Sequence, residues 1–462
     1  MAIDTPVKML TGVDLMAHLY RRAGFGATRD EIEAALARGY EATVEELLHP
    51  ERQPDIDFDV LHRFYPDTKE AREIDVNQAN WLYRMINTGR PLQEKMALFW
   101  HCLFATAFNK SNHSQQVQIQ IDMLREHGLG NFKTILVELS RDPAMIFWLD
   151  NQENTNDVHN ENYGRELLEL FSMGIGNYTE DDVKECARAF TGWSIRNLLN
   201  TGPFGRNVWQ YQFNADQHDD GEKTFLGETG NFDGEDVIEI IVRQPATARF
   251  IAKRLYLFFV SDEVDEAAVE ELARVYEESG HDIREVMRAL FLSDAFRSER
   301  ALYDKVKSPA EHVAGLMRLT GDHRFPTWGL KDVALEFRYM GQDLMNPPSV
   351  EGWHTGKEWI DTGILVERVN FAAEQVGDAN KPGIRRIVER LRDRGTLSPE
   401  AFVDGCLDLI GPLTLSQRTR EALVGHAAKA GPLDLTSGGR AAEGRVTEML
   451  QMIVATREFQ WV

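Results

Sequence analysis

Cysteine is scarce in this chain: Cys102, Cys186 and Cys406 stand isolated among 462 residues. So odd and sparse a set excludes a disulfide framework and suits a reducing compartment. Basic residues are outnumbered, 51 against 74 acidic, for a formal net charge of −23. A general nucleic-acid binder needs a basic footprint, and docking on an anionic membrane needs one too, so both are excluded. No apolar run approaches the roughly 18–20 residues of a membrane span. The opening residues show no charged-then-apolar export signal, and Arg21-Arg22 leads into a stretch too charged for a targeting core. The chain as numbered therefore reads as cytoplasmic. GxSxG, HExxH, P-loop, GxGxxG and CxxC are all missing, which lowers the expectation of common hydrolases, zincins and nucleotide enzymes.

What is present is helical. Hydrophobic residues make up 43% and aromatics 10%, ordinary for a globular protein. Thr28–Glu31 and Thr43–Glu46 read as capping boxes, with Gly39 and Pro50 stopping the helices that follow. Helical spacing continues at about 73–88, 91–109, 112–127 and 132–149, the last broken or kinked at Pro143. Further helices are expected at about 161–173, from Thr179 to Gly192, from 234 to 297, at 309–320 and 331–340, and from 362 to 458. Two segments lack this period: 193–232, with strand-like alternation at Trp209–Phe213 and room for one small β-hairpin, and 341–360, rich in Pro, Gly and Trp. The expectation is a mainly α, single multi-helix domain over 1–462. A soft boundary lies near 378–383, before a C-terminal helical subdomain. The strings 286–299 and 449–462 both run from aliphatics into hydroxyl-x-x-Phe, which reads as two independent helix ends.

The acidic charge is local. Residues 142–185 hold 11 acids and 2 bases, while 214–239 and 261–282 each hold 9 and 1. Outside these segments the chain is nearly neutral. A cation or a basic partner is to be sought there first.

The stretch 150–161 packs Asp150, Asn154, Asn160 and Glu161 among further amides and acids. Hard divalent cations want such oxygen ligands. The spacing partly mimics a calcium loop, with Asp150, Asn154, Asn156 and Glu161 at ligand positions, but Thr155 replaces the turn glycine and Asp157 the apolar residue. The same residues can instead cap helices and build Asx turns. In the next helix Glu166 and Glu169 lie on one flank beside Arg165. Such carboxylates suit acid–base work or a buried ion-pair network. His101 sits in an apolar helix, as a ligand or as a hydrogen-bonded core residue. His218 and Asp219, with Asp220 and Lys223, read as a metal or proton-transfer cluster or as an exposed acidic turn. Trp353-His-Thr-Gly-Lys-Glu-Trp359 lines a pocket or anchors its loop.

Taken in order, HLYRRAGFGAT (18–28), EKMALFWHCLFAT (94–106), MLREHGLGNF (123–132), RDPAMIFWLDN (141–151), NENYGRELLELFSMGIGNYTEDDV (160–183) and ARAFTGWS (187–194) resemble the bacterial family called domain of unknown function 1800. The likeness continues through HDDGEKTFLGETGNFDGEDV (218–237), QPATARFIAKRLYLFFV (244–260), VKSPAEHV (306–313), MGQDLMNPPSVEGW (340–353) and REFQ (457–460). It implies one family-length domain, export in many relatives, and a protein partner of phosphatase- or sulfatase-like fold. It carries His101, Asp150, Asn151, Asn160, Glu161, Asn162, Arg165, Glu166, His218 and Asp219 onto family positions. Where relatives show His-Asn-His, this chain has His101-Cys102-Leu103, which would weaken a metal site built on the paired histidines.

Two readings follow. One is a helical scaffold that binds a partner, with a buried polar network around 150–169. The other is a metal-dependent hydrolase. Asp150, Asn154, Asn160, Glu161, His218 and Asp219 would hold its divalent cation, Glu166 or Glu169 would act as base, and Arg165 and His101 would assist.

Overall fold

The computed structural model describes residues 8–64, 73–196, 201–202, 205–206, 208–437 and 439–462. They form a mainly α, single-domain fold of 24 α-helices, with short 3₁₀ turns between them. No helix among the described residues is long and apolar enough to cross a membrane.

Local chemistry sets most helix ends. Thr28 and Glu31 close a capping box at the start of Arg29–Arg38, as do Thr179 and Asp182 before Glu180–Ala189 and Ser308 and Glu311 before Pro309–Thr320. Pro143 breaks the expected 132–149 helix into Phe132–Arg141 and Pro143–Trp148, with Asp142 capping the second. The second expected box fails: Thr43 lies inside Tyr40–Leu48, whose cap is Gly39 at φ 97°. Glycine takes that left-handed backbone without strain, and the Thr43 hydroxyl donates back to Gly39 O at 2.8 Å. The two hydroxyl-x-x-Phe ends share one local device, since Phe296 N donates to Ser293 Oγ and Phe459 N to Thr456 Oγ1.

The irregular segment 193–232 carries three two-stranded antiparallel pairs where one hairpin is expected from sequence. Strand β1 (Trp193–Arg196) precedes β2 (Thr201–Gly202), β3 (Gly205–Arg206) and β4 (Gln210–Phe213). β5 (Lys223–Phe225) and β6 (Glu228–Gly230) follow. β1 pairs with β4 from Trp193↔Phe213 to Arg196↔Gln210, β2 with β3, and β5 with β6. Leu226 (φ 47°) and Gly227 (φ 85°) make the tight β5–β6 turn. Residues 197–200, 203–204 and 207 of this segment lie outside the described residues.

At the centre runs Pro91–Leu103, with Leu92, Met96, Leu98, Trp100 and His101 all buried. Trp100 donates from Nε1 to Gly128 O at 2.9 Å and stacks on Phe104 and Phe132. The second irregular segment, 341–360, is pinned to this helix. Gly352 (φ 87°) brings its backbone so near Cys102 O that a Cβ would sit 2.6 Å from it, so only glycine fits.

Candidate functional site

The polar stretch 150–161 is a knot of backbone-directed amides. Asn151 is buried and donates to Phe190 O (3.3 Å) and Trp193 O (3.0 Å). Asn154, also buried, donates to Ala187 O at 2.8 Å and to Asn151 Oδ1, while its Oδ1 accepts from Asn160 N at 2.9 Å. Asn160 donates from Nδ2 to Asp150 O and accepts from Asn162 N. Asp150 takes the left-handed conformation at φ 58° and accepts from Lys110 Nζ at 2.6 Å. Polar groups sealed from water must find partners, and short amides do so over one turn of chain.

The stretch meets the second cluster. Asn156 donates from N to Gln217 O and from Nδ2 to Asp216 O, and Gly192 N donates to Asn154 O. His218 is buried, with Nδ1 2.9 Å from Thr191 O, and packs edge-on to Phe213. Asp219 is gripped by Arg188 at 2.7 and 3.2 Å, which holds its carboxyl down at about 2.

The following helix is short. Asn162–Glu166 is α-helical, and Leu167–Ser172 continues as a π-helix, in which Met173 N reaches back five residues to Leu168 O. Such a turn is rare and is found mostly at functional sites. Arg165 pairs with Glu180 (2.7 Å) and Glu161 (3.2 Å). Glu169 accepts from the Tyr178 hydroxyl at 2.9 Å. Glu166 is half-buried; burial raises its carboxyl, and Glu169 and Glu351 push the same way.

His101 lies apart from this group. Its Nε2 accepts from Met345 N at 2.9 Å, and its ring meets Trp81 and Trp353 edge-on. Burial pushes the imidazole down to about 3, so it is neutral, with the proton on Nδ1. Burial likewise pushes the Cys102 thiol up to about 12, which makes it a poor nucleophile. Among the described residues no group of three or more His, Cys, Asp or Glu side chains gathers as metal donors.

Beside His101 opens a cleft of about 330 Å³. Phe99, Cys102 and Leu103 form its floor, Arg254 and Phe258 of helix Pro245–Phe259 one wall, and Trp353 and Trp359 of segment 341–360 another. Leu170 and Glu351 also line it, and Glu351 is close enough to Glu166 to raise its carboxyl. Lys305, Ser308, Glu311, Gln342 and Thr355 add to the polar lining that Arg254 and Glu351 begin. Gln342 accepts from Ala310 N at 2.9 Å. Lys305 faces Asp262 at 3.4 Å. Glu311 binds Lys95 with one oxygen and accepts from Ser308 N at 2.7 Å with the other. Burial alone would raise the Glu311 carboxyl, but Lys95 and Lys305 outweigh it and hold it down at about 2.

Sequence reasoning did not select Lys305, Glu311 or Gln342. Ser308-x-x-Glu311 carries the signature of a helix cap, and the cap is present. The only signal of a further role is that cap's neighbour, Lys305, three residues upstream. Trp353 and Trp359 both line the cleft, and Trp353 also packs on His101, so pocket and anchor coincide.

A family profile described as "Protein of unknown function (DUF1800)" matches residues 18–461. Comparison with curated proteins finds no match, and comparison with solved structures finds none.

Proposed function

This chain belongs to the DUF1800 family, whose function is unknown, and from that premise we propose that it is a helical scaffold that binds a partner protein. The buried polar residues around 150–169 hold its fold. The observation that carries the reading is how Asn151 and Asn154 spend their amides. Both donate to backbone carbonyls of 187–193, tying the loop to the start of β1 and leaving no amide oxygen turned to a ligand site. The docking side is the acidic stretch 142–185. It exposes Ile175 (79%) and Val158 (67%) at the two ends of Asn162–Ser172, among Glu153, Asp157, Glu180 and Asp181. Exposed aliphatics in a stretch whose acids outnumber its bases suit a basic surface with an apolar centre. The family resemblance supplies the partner class, a phosphatase- or sulfatase-like protein.

The test mixes the purified chain with such a protein from the same source, read by size exclusion and calorimetry. The expected result is a complex that weakens with salt and with Ile175→Asp. Failure of the two to associate at any salt concentration would overturn it.

A metal-dependent hydrolase is the second reading. Glu166 favours it, as a carboxyl raised by burial and by two further acids, one of which, Glu351, lines the cleft, the setting of a general acid or base. Elemental analysis and melting with and without chelator separate the two readings. The scaffold predicts no stoichiometric metal and no shift. A bound divalent cation whose hydrolytic activity is lost in Glu166→Gln would favour the enzyme.

A further inference from the structure

On the far side of Glu311 from the cleft is a second, smaller cavity of about 80 Å³. Its walls are mostly apolar, from Phe25, Leu316, Ile410 and Phe459, yet four cationic or basic side chains line it: Arg21, Lys307, His312 and Arg318. Glu311 is the one acidic side chain among them, and both its oxygens are spent on Lys95 and Ser308 N. Arg318 is spent too, on Glu31 and the carbonyls of Gly26 and Ile86.

The others are not. Arg21 donates from Nη1 to Pro412 O, but its Nε and Nη2 are sealed from solvent with no partner. Lys307 makes one hydrogen bond, to Phe459 O at 2.6 Å, and its ammonium lies over the Phe459 ring at 4.0 Å, as the Arg21 guanidinium lies over Tyr303 at 5.5 Å. Behind them Arg368 is fully buried, with Nε on Gln460 and both Nη atoms unpartnered. Among the described residues none of Arg21, Lys307 and Arg368 makes an ion pair with a carboxylate. Buried charges left without counter-charge cost several kcal/mol, so folds normally pair them. Burial first, then Arg21 and Arg368, press the Lys307 ammonium down to about 7, against the opposing pull of Glu311.

We propose that this cavity binds a tetrahedral oxyanion, inorganic phosphate, held by the free donors of Arg21 and Lys307 with Arg368 behind. Size and chemistry agree. The space, about 80 Å³, has room for a few waters or a five-atom oxyanion. Guanidinium forks match its oxygens. His312 adds a selective element. Its Nε2 lies 3.1 Å from Arg368 O and donates to it, so the neutral ring leaves Nδ1, which has no partner, as an acceptor. Hydrogenphosphate carries an O–H that can donate to such an acceptor, and sulfate does not. The site is independent of the partner reading and of the acidic stretch.

The purified full-length chain is titrated with inorganic phosphate, sulfate and chloride at constant ionic strength, read by calorimetry and by melting. Saturable phosphate binding with a raised melting temperature is expected, with sulfate binding more weakly and chloride without effect. Arg21→Met and Lys307→Met should each weaken phosphate at least ~10-fold, the scale of one lost charge-assisted contact. Arg21→Lys, which keeps the charge and the fold, should weaken it less. Glycerol phosphate tells a free ion from a ligand's phosphate end: a site for the free ion predicts at least ~10-fold weaker binding of the ester. No saturable oxyanion binding, undiminished binding in folded Lys307→Met, or an ester that binds as tightly as the free ion would overturn the proposal.

Discussion

The polar ground between 150 and 219 and the basic ground around Glu311 handle charge in opposite ways. In the first, polar residues are dense in sequence and settle close by: Asn154 on Ala187 O, Arg165 on Glu161, Asp219 on Arg188. Its ion pairs are at least partly wet. In the second, Arg21, Lys95, the short run holding Lys305, Lys307 and Glu311, and Arg368 come from four separate segments, none conspicuous in the sequence, and meet where water is scarce. Density of polar residues along a chain therefore says little about how much each is worth. Desolvation decides that, and desolvation is a property of the assembled helices.

The sharpest way to break this contrast is Lys95→Met. It strands Glu311 as a buried charge and should cost about 3–5 kcal/mol, read by denaturant unfolding. Lys95→Met with Glu311→Leu should recover most of that loss; a double variant as unstable as the single would mean the pair is not what holds the region. Next is Asn154→Ala, which orphans Asn160 N and leaves Ala187 O only its weaker bond from Phe190 N at 3.2 Å, and should cost about 2 kcal/mol.

Third is a change of slope. Asp142 caps Pro143–Trp148 and accepts from Gln120, and its burial raises the carboxyl to about 7. A folded-state value above the unfolded one, about 3.9, means the folded chain holds the extra proton between those limits. Its contribution is thus full below about pH 4 and is lost as pH rises to about 7. Asp142→Asn should flatten that part of the stability profile relative to wild type, and two parallel profiles would refute it. The smallest effect belongs to Arg165→Ala. It removes half-exposed pairs with Glu161 and Glu180 and should cost under about 1 kcal/mol, vanishing in high salt.

Helix ends were readable because their causes are local. Thr28 and Glu31, three residues apart, mark the start of Arg29–Arg38, and Pro143 breaks its helix where a missing N–H must. Thr43 misled because a hydroxyl can also bond back within a helix, and the left-handed Gly39 had already made the cap. Trp209–Phe213 announced a strand, but its partner at 193–196 lies across residues with no alternation to mark the pairing. The candidate sites divide the same way. Asn154 and Asn160 were visible as a cluster, whereas His101 bonds Met345, 244 positions away, and the cleft and the cavity draw on segments that only packing joins.

The π turn at Leu167–Ser172 makes chain length, more than side-chain identity, the setting of this region. An α-helix advances about 100° per residue, so deleting one residue there would swing Asn162–Glu166 by about that angle against everything downstream. Gly164 could not follow, because it already approaches Ala187 N so closely that a Cβ would sit 3.1 Å away. Glu166 would leave the company of Glu169 and Glu351. A change of count at this one turn would thus act as a switch on three carboxylates that no single substitution could move together.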